Sequence, residues 1–282
     1  MGSDGAGVVE AVGDAVTSVK VGDHVVLNPG KSCRQCEYCT SGDSPLCLKY
    51  GIMGEHYSGT ICEQLVVPEW NVVPIPAHIP MTEAAAFPLA SLTAWRMMVS
   101  KARVRAGEHV LIWGIGGGVA LQALQIAKAL GAHTWVTSGS DDKLARAKAL
   151  GADEVINHAQ VDVGKEVRNR TSKRGVDVVI DSVGEKTWGQ SLFALGKRGR
   201  LVTCGGTSGP MLQMDVRRLF WNQWTIMGST MGNEEEFAAA AGEFARGQLH
   251  AIVDSVHDIT HGADAYARLM SGEQFGKVVV SL

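Results

Sequence analysis

Apolar and polar positions follow two different rhythms along the 282 residues. From residue 5 to residue 75 the apolar residues come in short β-branched runs broken by glycine and proline. They are Val8-Val9, Val21 to Val26, 63–67 and 72–75, the last two bounded by Pro68, Pro74, Pro76 and Pro80. This rhythm predicts an all-β unit. After Pro80 the period lengthens. Residues 82–87 and 91–100 read as helices, with Pro88 interrupting them. Strands are then predicted at 110–113, 133–137, 154–156, 177–181, 200–204 and 224–228. Helices are predicted between them at 119–130, 141–150, 162–172, 186–194 and 216–221. Six strands linked by helices imply an α/β architecture: a doubly wound parallel sheet with right-handed crossovers, the two-halves organisation of a dinucleotide fold. The tail predicts helices at 233–246 and 263–271, a weak strand near Val256 and a final strand at 277–281. It is too short to stand alone and is expected to return to the β unit. The expected segments are therefore 1–90, 91–230 and 231–282.

The first predicted strand of the sheet runs into Gly114-Ile115-Gly116-Gly117-Gly118-Val119-Ala120, and then into a helix with an apolar stripe at Ala120, Leu124, Ala127 and Leu130. Strand, glycine turn and helix hold a dinucleotide pyrophosphate, because backbone N–H groups and the helix N-terminus face the anion and side chains would block its approach. Gly114, Gly116, Gly118 and Val119 are the expected contacts. Ala120 stands where a further glycine usually closes the turn, and a methyl is tolerated there. At the end of the second strand Ser138 occupies the place where an NAD site puts Asp or Glu for the ribose hydroxyls. A carboxylate would repel a 2′-phosphate, so its absence favours NADP, with Lys143 and Arg146 on the next helix as cationic partners. Ser140 doubles as the N-cap of that helix. Asp141 or Asp142 would restore an NAD site if the loop folded back.

Charge and cysteine usage narrow the chemistry. Formal net charge is −3, and no Lys/Arg run stands out. That argues against nucleic acid or an anionic membrane as main partner. No apolar stretch reaches a membrane span, and the start lacks a signal-peptide layout, so a reducing, cytoplasmic location is the default. Four of the six cysteines lie in Cys33-x₂-Cys36-x₂-Cys39-x₇-Cys47. Four thiolates at this spacing suit tetrahedral zinc with no place left for substrate, whereas a disulfide pair does not suit the cytosol. Cys62 reads as a small buried residue, and Cys204, beside Gly205-Gly206, as packing. His56 and Tyr57, in the polar loop Gly54-Glu-His-Tyr-Ser-Gly59, are candidates to face a substrate.

With Gly2-Ser-Asp-Gly-Ala-Gly-Val-Val-Glu-Ala-Val-Gly13, Val21-Gly-Asp-His-Val25, the cysteine lobe, the glycine turn and Gly175-Val-Asp-Val-Val-Ile-Asp-Ser-Val-Gly184, the chain resembles the medium-chain dehydrogenase/reductase superfamily, the zinc alcohol dehydrogenase and quinone reductase group. The resemblance implies a GroES-like β domain, built from both chain ends, around a central Rossmann domain, and a structural zinc on the four cysteines. It also implies cofactor contacts from Thr93, from Ser182 and Val183, from Gly205 and from Lys277, and a homo-oligomer, dimer or tetramer. In the family several dozen residues precede the segment matching Gly2, so a partial β domain is expected here. Of the family's catalytic zinc ligands one falls in that preceding segment. The other two are matched here by Ser3 and Leu89, which cannot hold zinc as imidazole and thiolate do. The longer turn with Gly117 and Gly118 matches the reductase branch. The implied activity is NADPH-dependent hydride transfer to small carbonyl, enone or quinone substrates, with structural but no catalytic zinc. The alternatives are a zinc alcohol dehydrogenase with altered ligands and a truncated, non-catalytic nucleotide-binding protein.

Overall fold

Antiparallel pairing opens the chain. In the computed structural model, which describes residues 1–282, β1 (Ala6–Val8) pairs with β2 (His24–Leu27), and β2 pairs on its other edge with β5 (Val72–Pro74). Val25, Val26 and Leu27 of the central strand are buried. A second, two-stranded ladder joins β3 (Gly30–Lys31) to β4 (Gly51–Ile52) and brackets the cysteine segment with its single helical turn α1 (Glu37–Thr40). The chain then enters α2 (Met81–Ala86) and α3 (Pro88–Trp95), and α3 runs on as a π-helical stretch over Arg96–Lys101. Pro88 starts α3. Its missing N–H falls among donors that a first turn leaves unpaired in any case. One expected strand is absent: residues 63–67 form no strand pairing, and Val66 is 94% exposed. A Leu-Val-Val run has β propensity only where a neighbouring strand supplies a ladder and a face to pack on.

Six parallel strands form the second region: β6 (His109–Ile112), β7 (His133–Ser138), β8 (Glu154–Asn157), β9 (Val176–Asp181), β10 (Leu195–Thr203) and β11 (Thr225–Gly228). Their order across the sheet is β8-β7-β6-β9-β10-β11, so the chain winds outwards from β6 in both directions. The helices between them are α4 (Gly118–Ala129), α5 (Asp141–Ala149), α6 (Val163–Arg170), α7 (Glu185–Ala194) and α8 (Val216–Asn222). Leu111, Trp135, Ile156, Val179 and Leu201 are buried in the sheet core. β10 starts earlier than the apolar pattern predicts. Its register is irregular between Leu195 and Arg200, where Arg198 takes a positive φ of 58° among glycines that carry no β signal.

The tail forms α9 (Glu234–Ala245), β12 (Val253–Asp258), α10 (Gly262–Met270) and β13 (Lys277–Ser281). β12 and β13 pair in parallel around α10, which gives the weak strand near Val256 its full length. α9 starts with a capping box in which Asn233 and Glu236 satisfy each other's backbone donors. Phe244 of α9 stacks on Phe87 at 4.3 Å. The tail therefore forms one compact unit with the first region, Met1–Leu92 with Met231–Leu282, and Thr93–Thr230 forms the other. No helix is long and apolar enough to cross a membrane.

Candidate dinucleotide site and candidate metal centre

The glycine turn lies at the carboxyl end of β6, the strand from which the sheet winds both ways. Gly114 (φ +71°) and Gly116 (φ +119°) take conformations that favour glycine. The turn is held from below: Gly114 N–H donates to Thr137 Oγ1 at 3.3 Å, and Ile115 N–H to the Thr137 carbonyl at 2.7 Å. Gly117 is different. It caps α4 with φ −78° and ψ 150°, which any residue adopts, and a Cβ there would meet only Gly114 O at 3.6 Å. Neither backbone strain nor packing calls for glycine at 117. A bare backbone there leaves the first N–H groups of α4, Gly118 and Val119, open to an anion, should one bind. Ala120 is buried, as the helix–strand contact requires.

At the end of β7, Ser138 is buried and its hydroxyl accepts Ser140 N–H at 3.1 Å. Ser140 caps α5 by accepting Lys143 N–H. Asp141 does not fold back. Its carboxylate accepts Asn157 Nδ2, at the end of β8, at 2.6 Å and Gln160 Nε2, just beyond it, at 3.3 Å. His158 lies beside Gly139, with Nδ1 3.3 Å from Thr137 Oγ1. Burial lowers its pKa from the usual range, so the ring is neutral near pH 7.

Two more turns follow the ends of β9 and β10. Ser182 and Val183 precede Gly184, and Gly205 follows Cys204. Burial, and then the Asp181 charge, push the Cys204 thiol up to about 11, which keeps it protonated and unreactive. Thr93 is buried on α3. Lys277 lies on β13. Its ammonium pairs with Asp4 Oδ2 at 2.6 Å, and Asp4 Oδ1 accepts Leu89 N–H at 2.5 Å. The residues matching zinc ligands, Ser3 and Leu89, thus flank an internal ion pair. Of the two loop candidates, His56 Nδ1 accepts Ile52 N–H at 3.2 Å, and the Tyr57 ring packs over Gly51 with the Lys31 ammonium 5.2 Å from its centroid.

The four cysteine sulfurs, from Cys33, Cys36, Cys39 and Cys47, lie within 4.8 Å of one another. A zinc with thiolates at about 2.3 Å sets its sulfurs about 3.8 Å apart. The Cys33–Cys39 and Cys36–Cys39 separations are 3.9 and 3.5 Å, close to that spacing, so the cluster suits a tetrahedral zinc. The Gln35 N–H, and then the Cys47 thiol, lower Cys33 to about 6, which favours the thiolate. Cys47 Sγ accepts Cys33 N–H and Lys49 N–H at 3.4 and 3.3 Å, as outer partners of a metal ligand do.

Residue-by-residue reading missed Thr137, Asn157, His158 and Asp181. Only Asp181 carried a signal, an acid at a strand end just before Ser-Val-Gly.

The sequence matches two protein families: alcohol dehydrogenase GroES-like domain over residues 1–77 and zinc-binding dehydrogenase over residues 118–246. An NAD-dependent alcohol dehydrogenase of Sulfurisphaera tokodaii is 30% identical over 99% of this chain and 81% of its own. A solved NAD-dependent alcohol dehydrogenase superposes with a TM-score of 0.95 at 42% identity, covering 100% of this chain and 82% of the other. The 2-octenoyl-CoA carboxylase reductase CinF, solved with NADP and 2-octenoyl-CoA, superposes with a TM-score of 0.91 at 32% identity, over 99% of this chain and 67% of that one.

Proposed function

The chain belongs to the medium-chain dehydrogenase/reductase superfamily and is an NAD(P)-dependent oxidoreductase, and from that premise we propose that it transfers hydride from NADPH to small carbonyl, enone or quinone acceptors. One observation carries the choice of coenzyme. The end of β7 offers Ser138 where an NAD site offers a carboxylate, and Asp141 is tied to Asn157 and Gln160. A 2′-phosphate then meets the Ser138 and Ser140 hydroxyls and the start of α5, where Asp141 is tied back and Asp142 is exposed, with Lys143 and Arg146 proposed as its cationic partners. The reductase solved with NADP supports this reading, and the two NAD-dependent relatives oppose it. KM values decide between them. NADPH is expected to be favoured at least about tenfold, the worth of one charge-assisted hydrogen bond. Equal values for NADH would overturn the assignment.

The coenzyme supplies the hydride, and this chain supplies the seat. The glycine turn and the α4 N-terminus take the pyrophosphate, while Thr93, Ser182, Val183 and Gly205 are the proposed contacts of the remaining half. Lys277 is proposed as a phosphate partner that would first leave its pair with Asp4. Ser3 and Leu89 offer no metal pair, so the oxyanion formed on reduction needs a hydrogen-bond donor, and Tyr57 or His56 is proposed for that role. Tyr57→Phe is expected to lower kcat and leave the coenzyme KM unchanged. Metal analysis is expected to give one zinc per chain, held by the cysteine lobe; two would restore the zinc alcohol dehydrogenase reading.

A homo-oligomer in the cytoplasm completes the proposal. β11 is one of the two edge strands of the six-stranded sheet, and Phe220 and Trp221, on α8 just before it in the chain, are exposed, Trp221 by 78%. Such an edge and patch suit a second copy of the chain. Sedimentation of Trp221→Asp is expected to show a smaller species than the unsubstituted chain; an unchanged size would remove this surface from the assembly.

A further inference from the structure

Asp181 ends β9 and is fully buried. Four neutral donors converge on its carboxylate. Oδ1 accepts Val183 N–H at 2.8 Å and Gly184 N–H at 3.0 Å, and Oδ2 accepts the Thr187 and Ser191 hydroxyls, both at 2.8 Å. The N-cap of α7 is Gly184, which has no side chain to offer. Asp181 therefore ties the 183–184 turn to the first turns of α7 through Thr187 and Ser191, while Lys186 N–H, the donor a capping side chain would take, goes to Ser208 Oγ at 3.0 Å. An acceptor-only carboxylate is the one side chain that can take all four donors.

The turn fixed in this way fixes a second one. Gly184 has φ +90°, and a Cβ there would come within 2.9 Å of both Gly206 Cα and Gly209 O. The two backbones are in contact at that point. Ser208 donates to the Val183 carbonyl through N–H and through Oγ, both at 2.8 Å, and Glu185 N–H donates to Gly209 O at 3.3 Å. On the other side, Val183 Cγ2 lies 3.9 Å from the Cβ position of Gly114. Asp181 thus sets the spacing of three turns, at the carboxyl ends of the neighbouring strands β6, β9 and β10.

Strand order says which part of a ligand those turns meet. β7 and β9 flank β6 on opposite sides, and β10 lies beyond β9. A dinucleotide with its pyrophosphate over the β6 turn and its adenosine over β7 must extend its other half over β9 and β10. We infer that Asp181 is a positioning residue for the nicotinamide half of the coenzyme, acting through the 182–184 and 205–209 turns that it holds. The inference rests on the coenzyme reading proposed above.

Equilibrium binding of NADPH and of 2′,5′-ADP, which lacks the nicotinamide half, separates this role from general stabilisation. In Asp181→Asn, amide hydrogens confront donors that the carboxylate accepted. NADPH is expected to bind about 10- to 100-fold more weakly, while 2′,5′-ADP changes by less than about threefold. Gly184→Ala, which forces the two turns apart and leaves Asp181 intact, is expected to show the same split and stands in if the first variant fails to fold. Equal weakening of both ligands, or no change in either, would overturn the inference. If the unsubstituted chain binds neither ligand, the NADPH reading falls, and the same comparison is made with NADH and ADP. Failure of those as well would overturn the coenzyme reading and the inference together.

Discussion

The cysteine lobe and the glycine turn are both loops built to hold something charged, and they are held by opposite means. Of residues 31–50 only Pro45 and Cys47 are buried, so the lobe has no apolar core. Its anchors are few: Asn233 Nδ2 to Gly42 O at 2.6 Å, Arg34 to Glu234 at 3.0 Å, and the Arg34 guanidinium 4.4 Å from the Trp70 ring. The glycine turn is set between buried Ile112, Trp113 and Ile115 below and Ala120 and Leu121 behind, and Thr137 holds its backbone. On the proposed reading a metal would substitute for a core in the first loop, whereas a core already shapes the second. The first should melt when its ion leaves, and the second should outlast its coenzyme.

The largest expected effect tests the first half of that contrast. Structural zinc carries on the order of 10 kcal/mol of apparent binding energy that is also folding energy. Chelation, or Cys39→Ser, is expected to expose the amides of 31–50 to hydrogen exchange while those of 110–125 stay protected. Protected lobe amides after verified zinc loss would show that protein contacts hold the lobe. Next is Gly117→Asp, where the backbone tolerates a side chain and the anion does not. Dinucleotide affinity is expected to fall about 100-fold or more, some 3 kcal/mol, with little change in Tm. A large loss of Tm with affinity retained would make Gly117 a folding residue.

Smaller effects sharpen the comparison outside the two loops. Asp254, on β12, accepts Arg268 at 2.8 and 3.1 Å and Phe275 N–H at 2.8 Å. The Arg268 guanidinium is the main cause that holds its pKa down to about 2. Asp254→Ala is expected to destabilise its unit by about 2–3 kcal/mol whether or not zinc is bound. A loss seen only in the zinc-free protein would mean that the metal holds more than the lobe. The least effect concerns acid. Burial opposes ionisation of Asp153, but Thr134 N–H, Lys128 and the Thr134 hydroxyl outweigh it and bring its pKa to about 2. A depressed folded-state pKa stabilises above the unfolded value of 3.8 and is lost as pH falls through about 2. Its share, at most about 2 kcal/mol, should vanish between those values, and Asp153→Asn should flatten the acid limb of the Thr93–Thr230 unit. An unchanged limb would remove Asp153 as its cause.

Elements whose signal is local were legible in the residues. All six sheet strands and the helices between them lie where their apolar periods place them, to within two residues except at the start of β10, because each is buried on a face that the period itself defines. The cysteine cluster was legible for the same reason, since its ligands lie within fifteen positions. Residues 63–67 were misleading because their composition carries a strand's propensity and cannot report whether a neighbour exists. Cofactor choice was half legible. Ser138 is visible in the sequence, but the tether on Asp141 comes from Asn157 and Gln160, at and just past the end of the next strand.

By itself the sequence determined the order of elements, the glycine turn and the four thiolates, all of which depend on spacing along a local backbone. Tertiary structure decided which polar groups are already spent. Lys277 meets Asp4 across 273 positions, and Asn233 reaches Gly42 across 191. Asp181 is close in sequence to all its donors, yet its reach to the β10 turn and to Gly114 exists only because β6, β9 and β10 are neighbours in the sheet. Hydrogen-bond partners are chosen by proximity in space, and an apolar period along the chain carries no record of that proximity.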